Sequence, residues 1–472
     1  MEHEHQFDGI LGISYSNLLA RGAARRFDRC MQAIRALRAP VAIAAVAFFV
    51  LWTRLGAART IAWAEDSGVF LQECLMLGPI RSLWHPYDGY LHVLPRILVD
   101  IALALVPIGE YAVAVAALSV GVTAAVCGLV FALSARALDR TWCRVVIALV
   151  PVLIPLAPYE IAGNTANLHW YLLYLAPWVL LAQPRTWWAA GLLAATAAAI
   201  SVSEIQVAMF LPLFLVPTTG SGGWRPGRRR LLVAAGAALG LVAQTAAFAT
   251  HPRPGTEGAR PGLLDIVVGF LVQPLPALVT TDVGHAGAWA LQHGWVPGSV
   301  VLATVAALAV VAFVRASPAT RVVLFTLVGG AVGTWAAAVI VNADSRMTWA
   351  SHDAAMLLRI GPLRYAAASS MFLAAAIVVV GDALMRHWAR PALRVLRGVG
   401  AVCALFPLVV GASELTATET RRSNGPVWSD EVDRARSVCE RSPTASLRVD
   451  AMPGLPRWGA SVPCEVILRG AP

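Results

Sequence analysis

Residues 63–70 read Trp63-Ala64-Glu65-Asp66-Ser67-Gly68-Val69-Phe70, just after an apolar run at 40–57. A second polar block follows at 84–96: Trp84-His85-Pro86-Tyr87-Asp88-Gly89-Tyr90-Leu91-His92-Val93-Leu94-Pro95-Arg96. Adjacent acids bracketed by Trp63 and Phe70, at the exit of a run long enough to cross a bilayer, describe a packed polar segment at a membrane surface. Ahead of the run stand Arg21, Arg25, Arg26, Arg29, Arg35 and Arg38. Such a cluster stays cytoplasmic under the positive-inside rule, so the acid pair falls outside. No cleavage pattern follows the run, which therefore reads as an anchor, not a removed leader.

The remainder of the chain extends this frame. Of 472 residues 58% are hydrophobic and 14% charged, where a soluble domain carries about a quarter charged. Further apolar runs lie at 111–134, 144–159, 168–183, 187–202, 204–217, 230–250, 298–315, 321–341, 366–385 and 396–415. Two more, 90–107 and 263–281, are set aside because an extra crossing at 90–107 would move most short Arg-bearing loops outside. With them on the outer surface, Arg136, Arg140, Arg144, Arg185, Arg225, Arg228–Arg230, Arg315, Arg321, Arg386, Arg390, Arg394 and Arg397 all fall inside. The basic excess is thus a topology signal, and no nucleic-acid partner is expected. Every basic residue is Arg, a bias that suggests a GC-rich bacterial genome.

The expected fold is an all-α polytopic membrane protein, a bundle of about eleven transmembrane helices with juxtamembrane helices on its outer face. It divides into a cytoplasmic basic segment 1–39, a membrane domain 40–415 with an outer acidic loop at 57–110, and an extracytoplasmic tail 416–472. The expected site is the cytoplasmic membrane of a bacterium, N-terminus inside and C-terminus outside. The stretch 187–217 is too short for two full spans, and its polar break at Ser201, Ser203, Glu204 and Gln206 suits a broken hairpin turned toward an outer cavity. In the tail, Trp428–Glu440 has helical character, with Ser429 or Asp430 as its cap. Cys439 and Cys464 are the two cysteines there, and two thiols in a short extracytoplasmic segment are expected to pair. Cys74 is expected outside and unpaired.

With this topology the polar residues collect on one side. Glu65 and Asp66 can serve as general base or cation ligand, or form a solvated loop pair. His92 and Arg96, four apart, share a helix face and can hold an anion, on a segment that otherwise reads as an interfacial belt. Asn164, Asn167 and His169 stand at a span end, where uncompensated polar groups are costly; Asn164 also suits a helix cap. Arg364, followed by Tyr365, sits at the outer mouth of a span, placed to grip a phosphate or to pair with Asp344 or Asp66. His251, Arg253, Asp282, His285 and His293 show no tight spacing, and no site is assigned to them. No Cys/His spacing reads as zinc, and no Walker loop, dinucleotide fingerprint or nucleophile elbow is present. Polar groups gathered at one membrane face suit interfacial catalysis better than alternating access, which works near the midplane.

The chain resembles the GT-C class of membrane glycosyltransferases. There, a first span leads into an outer acidic motif, matched in position by Glu65 and Asp66, and then into a juxtamembrane segment, matched by Tyr90–Val106 with His92 and Pro95. Where that segment often carries a His/Lys-Pro-Pro-Leu signature, this chain has a single Pro and Arg96 in the Leu position. The same blocks resemble multi-span proteins of actinobacteria. The resemblance implies transfer of a sugar from a polyprenyl-phosphate donor to a glycan, lipid or protein acceptor, within membrane lipid and with inversion. Asp66 would be the general base, Glu65 its orienting neighbour or a ligand to a divalent cation, with metal left unassigned. Arg364, His92, Arg96 and His169, with Asn164, Asn167 and Tyr365 beside them, would hold the donor phosphate. The competing classes are a lipid or glycan transporter, which should tolerate loss of Asp66, and a non-catalytic envelope scaffold, indifferent to Asp66 and Arg364 alike.

Overall fold

The computed structural model describes residues 37–469 except 217–226, 254–259, 344, 360–363, 387–393, 414, 416–418, 443–444 and 455. Most of the basic N-terminal segment, Arg225, Asp344 and Arg390 lie outside the described residues.

The chain is a mostly helical, multi-pass membrane protein. Seven helices are long and apolar enough to cross a bilayer among the described residues: Leu37–Thr60, Ile108–Arg136, Arg228–Thr250, Gly298–Arg315, Pro318–Val341, Arg364–Leu384 and Val395–Ser413. The other four expected spans are shorter apolar helices, Thr141–Leu153, Leu168–Leu181, Trp187–Ser201 and Ile205–Leu215. The 13 residues of Thr141–Leu153 rise only about 20 Å at 1.5 Å each, short of a hydrocarbon core of about 30 Å. Proline is one reason they are short: Pro151, Pro177 and Pro212 lie inside three of them.

Where Thr141–Leu153 stops, its free carbonyls meet the fully buried Arg54 of the first span. The guanidinium donates to Val152 O at 2.6 Å, Ile154 O at 3.1 Å and Pro155 O at 3.2 Å. A cation at a helix C-terminus satisfies orphaned acceptors and complements the dipole. Leu168–Leu181 is buried on every face but its last residue, as expected of a helix apolar all round, and so forms the centre of the bundle. Val93–Leu105 has 13 residues and one buried face, and the 263–281 stretch breaks after Val272; neither is a span-length helix.

Spans run alternately, so one end of the bundle gathers residues 61–110, 155–170, 202–206, 251–253, 260–293, 342–343, 345–359 and 364–365. The opposite end carries Arg136, Arg140, Arg185, Arg228, Arg321 and Arg386 among the described residues. There the buried Asp382 carboxylate accepts from the backbone N–H groups of Asp139 and Arg140 and pairs with the Arg140 guanidinium at 3.3 Å.

The C-terminal segment folds back onto the 61–110 end. Its helix, Trp428–Cys439, begins one residue before the expected cap: Val427 precedes it, and no side chain caps it. Instead Asp430 and Glu431 occupy the first turn, where negative charge favours the helix dipole. Two antiparallel strands follow, Ser446–Val449 and Ala460–Pro463, and Cys439 is bonded to Cys464. Trp428, Val432, Val449, Val462 and Ile467 share one apolar cluster with Trp63, Phe70, Leu71, Val99 and Tyr111. Polar contacts fix the register: Trp428 Nε1 donates to Ile108 O at 2.7 Å, Met452 N to Ala62 O at 3.1 Å, and Ser67 Oγ to Trp458 O at 2.9 Å. Gly68 is required here, because a Cβ would lie 2.5 Å from Arg457 O.

Candidate functional site

At this end of the bundle lies a cavity of about 270 Å³. Glu65, Tyr87, Tyr90, His92, Asn167, His169, Trp170, Glu204, Arg253, Arg364 and Tyr365 face it. Phe248 and Val341, on the ends of two spans, form part of its rim and are themselves half exposed. The cavity therefore reaches the side of the bundle between Arg228–Thr250 and Pro318–Val341.

The two acids of the 63–70 block diverge. Glu65 lines the cavity, with its Oε1 3.9 Å from Arg364 Nη1. Asp66 does not line it. The Asp66 side chain, 2% exposed, accepts from Thr165 Oγ1 at 2.7 Å, Ala166 N at 2.9 Å and Thr165 N at 3.0 Å. Burial pushes its carboxyl from the ordinary 3.8 up to about 6, against the opposing pull of those three donors. Asp66 holds the loop ahead of the central helix.

That loop is gripped from its other side by Arg422, which the sequence reading did not single out. Its guanidinium donates to Ala162 O at 2.7 Å and Gly163 O at 2.9 Å. Gly163 has φ of 66°, and a Cβ there would stand 2.5 Å from Leu55 Cδ1. Asn164 and Asn167 close the same loop. Asn164 Nδ2 donates to Glu160 O at 2.8 Å, Asn164 Oδ1 accepts from Asn167 N at 3.0 Å and Nδ2 at 2.9 Å, and Asn167 Oδ1 accepts from Trp170 Nε1 at 3.2 Å. Both side chains are thus engaged with the protein, and Asn167, not Asn164, sits at the helix cap position.

The other expected anion holders separate. Arg96 lies outside the cavity wall, paired with Glu73 at 2.6 Å and stacked over Phe70 at 4.9 Å. Arg96 N donates to His92 O at 3.2 Å, so the four-residue spacing holds in the backbone, but His92 is the cap residue with non-helical φ/ψ of −125° and 56°, and the two side chains part around Phe70. His92 does face the cavity, 3% exposed, and neither ring nitrogen has a hydrogen-bond partner among the described residues. It is wrapped by Tyr90 at 4.3 Å, Phe70 at 5.4 Å and Tyr87 at 5.8 Å. Burial, followed by the nearby His169 and Arg96, pushes its imidazole well below the usual range, so it is neutral. Arg364 reaches Glu160 at 3.8 Å as well as Glu65, and lies over the Tyr365 ring at 5.3 Å. It does not pair with Asp66.

His169, in the first turn of the central helix, pairs through Nδ1 with Glu204 Oε2. Glu204 Oε1 accepts from Gln206 N at 2.7 Å. Gln244 fixes the neighbouring backbone: its Oε1 accepts from Leu91 N at 2.8 Å, and its Nε2 donates to Val202 O at 2.9 Å and Leu91 O at 3.0 Å. One span side chain thereby ties the His92 segment to the Glu204 turn. Arg253 contributes a second guanidinium, 3.6 Å from Asp88 and donating to Asn342 Oδ1 at 3.0 Å.

No family model, curated protein or solved structure matches this chain. The site rests on its own geometry.

The structure gathers Glu65, His92, Asn167, His169, Arg364 and Tyr365 around one cavity and leaves Asp66, Arg96 and Asn164 outside its wall. The sequence reading set Arg253 aside with its loop, which the cavity lining corrects, and it did not single out Gln244 or Arg422. Glu204 was visible in it only as part of the polar break at 201–206. Among the described residues no group of three or more His, Cys, Asp or Glu could hold a metal ion. The cavity's chemistry is that of paired acids and bases, cations and aromatic faces.

Proposed function

We propose that this chain is a membrane glycosyltransferase, moving a sugar from a polyprenyl-phosphate donor to a glycan, lipid or protein acceptor at the outer face of a bacterial cytoplasmic membrane. The observation that carries the reading is the meeting of Glu65, His169, Arg364 and Arg253 with Trp170, Tyr90 and Tyr365 around one cavity at the end of a membrane bundle. Aromatic faces pack against the C–H edges of a sugar ring, and guanidinium groups pair with phosphate. The rim at Phe248 and Val341 supports entry of a lipid-linked donor from the side, its tail resting on apolar span surface. The cavity sits at one end of the bundle, which favours an interfacial reaction over alternating access through the midplane. The Arg-rich opposite end supports an outward-facing site.

In this reaction an acceptor hydroxyl attacks the anomeric carbon as the bond to phosphate breaks, and inversion follows from attack opposite the leaving group. Arg364 and Arg253 stabilise the charge that develops on the leaving polyprenyl phosphate. Asp66 acts by fixing the 162–167 loop, not by touching substrate.

The test is a deletion strain complemented with wild type or with Arg364→Ala at matched protein level. Envelope glycans and polyprenyl-phosphate sugars are then measured by mass spectrometry. The expected result is a sugar missing from the envelope and its lipid-linked donor accumulating, in the deletion and in Arg364→Ala alike. Unchanged glycans and donors in the deletion would sink the reading, and the transporter or scaffold class would replace it.

A further inference from the structure

We infer that His169 takes the acceptor proton and that Glu204 holds its imidazole for that task, an assignment that rests on the glycosyl-transfer reading of the cavity. Nδ1 of His169 is engaged by the Glu204 carboxylate, and both residues are buried. His169 lines the cavity, and its Nε2 has no hydrogen-bond partner among the described residues. A carboxylate on Nδ1 selects the tautomer whose Nε2 lone pair is free, and it stabilises the imidazolium once the proton arrives. Glu204 cannot swing away easily: Gln206 N holds its other oxygen, and Gln244 holds the turn from Val202.

The other candidates fit less well. Asp66 has its carboxylate oxygens bound by Thr165 and Ala166. Glu65 stands on the Arg364 side of the cavity, next to where the leaving phosphate is to be held. His92 has two open nitrogens but no carboxylate of its own to balance a positive ring. Lying 5.9 Å from His169, centroid to centroid, the neutral His92 is suited to hydrogen-bond an uncharged hydroxyl of sugar or acceptor.

The acceptor oxygen forms its bond to the anomeric carbon and gives its proton to His169 Nε2. The carbon–oxygen bond to phosphate breaks, and its electron pair leaves on the polyprenyl phosphate, beside Arg364 and Arg253. The imidazolium then returns its proton to water, while Glu204 keeps its contact with Nδ1. The charged and titratable groups that line the same cavity are Glu65, Tyr87, Asp88, Tyr90, His92, Arg253, Arg364 and Tyr365.

The experiment uses the full chain in lipid nanodiscs. The donor is the polyprenyl-phosphate sugar pool extracted from the deletion strain, and the acceptor is that strain's envelope glycan. His169→Ala is expected to lower turnover about 100-fold or more, with donor binding kept and part of the rate restored by added imidazole. Glu204→Gln should lower kcat about 10-fold while the donor KM stays within about twofold of wild type, and Glu204→Asp should restore part of kcat. If wild type turns over and His169→Ala stays within about threefold of it, or imidazole restores nothing to a folded His169→Ala protein, the base assignment falls while glycosyl transfer stands. If wild type itself consumes no donor, the functional reading falls first and takes this assignment with it.

Discussion

The loop at 162–167 and the cavity beside it draw on the same residue types and treat them in opposite ways. In the loop, Asp66, Asn164, Thr165, Asn167 and Arg422 satisfy one another and the backbone. In the cavity, both His92 nitrogens, Glu65 Oε2 and Gln206 Oε1 are buried with no hydrogen-bond partner among the described residues. A saturated buried network rigidifies, whereas an open one costs stability unless water or a ligand completes it. The difference separates scaffold from binding surface more sharply than residue type does. Glu65 and Asp66 are neighbours in sequence and fall on opposite sides of it.

The largest expected effect lies in the saturated region. Asp66→Ala leaves three buried donors without their acceptor, and at 1–3 kcal/mol for each unsatisfied group the loss should be about 3 kcal/mol or more. Thermal unfolding in detergent measures it, and a change below about 1 kcal/mol would erase the distinction between the regions. Gly163→Ala comes next, at about 1–2 kcal/mol for a left-handed residue gaining a Cβ, with the Leu55 contact added to it. This variant should destabilise the protein without altering any cavity side chain, so equal stability would mean the loop is not tightly held.

A smaller effect is a pH dependence. Because the folded protein holds the Asp66 proton up to about 6, while the unfolded chain releases it near 3.8, the folded state binds more protons between those values. Its stability from this group is greatest below 3.8 and declines as pH rises through about 6. Asp66→Asn should remove that decline, leaving a flatter melting profile over the same window. The smallest effect belongs to the open region: His92→Phe keeps the ring shape and removes two unpartnered nitrogens, so stability should change by no more than about 0.5 kcal/mol or rise. Envelope-glycan profiling of the same variant should show it impaired. A strong loss of stability would instead class His92 with the scaffold.

Much of the bundle was legible because apolar runs and Arg placement are properties of single segments. Seven runs became span-length helices. The shorter four were over-read because hydropathy does not register where Pro151 or Pro177 helps stop a helix, nor that Arg54, over ninety residues away, caps one of them. The site was only partly legible for a related reason. That Glu65 and Asp66 matter could be read from their setting, but which one faces the cavity depends on the turn at Asp66–Leu71 and on Thr165, far along the chain. Arg96 keeps its four-residue spacing from His92, and what draws it out of the cavity wall is Glu73, on a separate short helix that no local pattern placed beside it. Gln244 and Arg253 carried no local signal, since their partners Leu91, Val202, Asn342 and Asp88 lie on other segments.

Arg421 and Arg422 follow every span in chain order, yet Arg422 grips the loop that leads into the central helix, and Arg421 N donates to Tyr159 O at 2.9 Å. During synthesis, all seven long helices can be threaded into the bilayer before these two residues leave the ribosome. The loop then waits for residues 421–422 to arrive. Insertion can therefore precede closure of the loop, and a chain stopped just after Ser413 is expected to hold all seven long helices and to lack the clasp on Ala162 and Gly163.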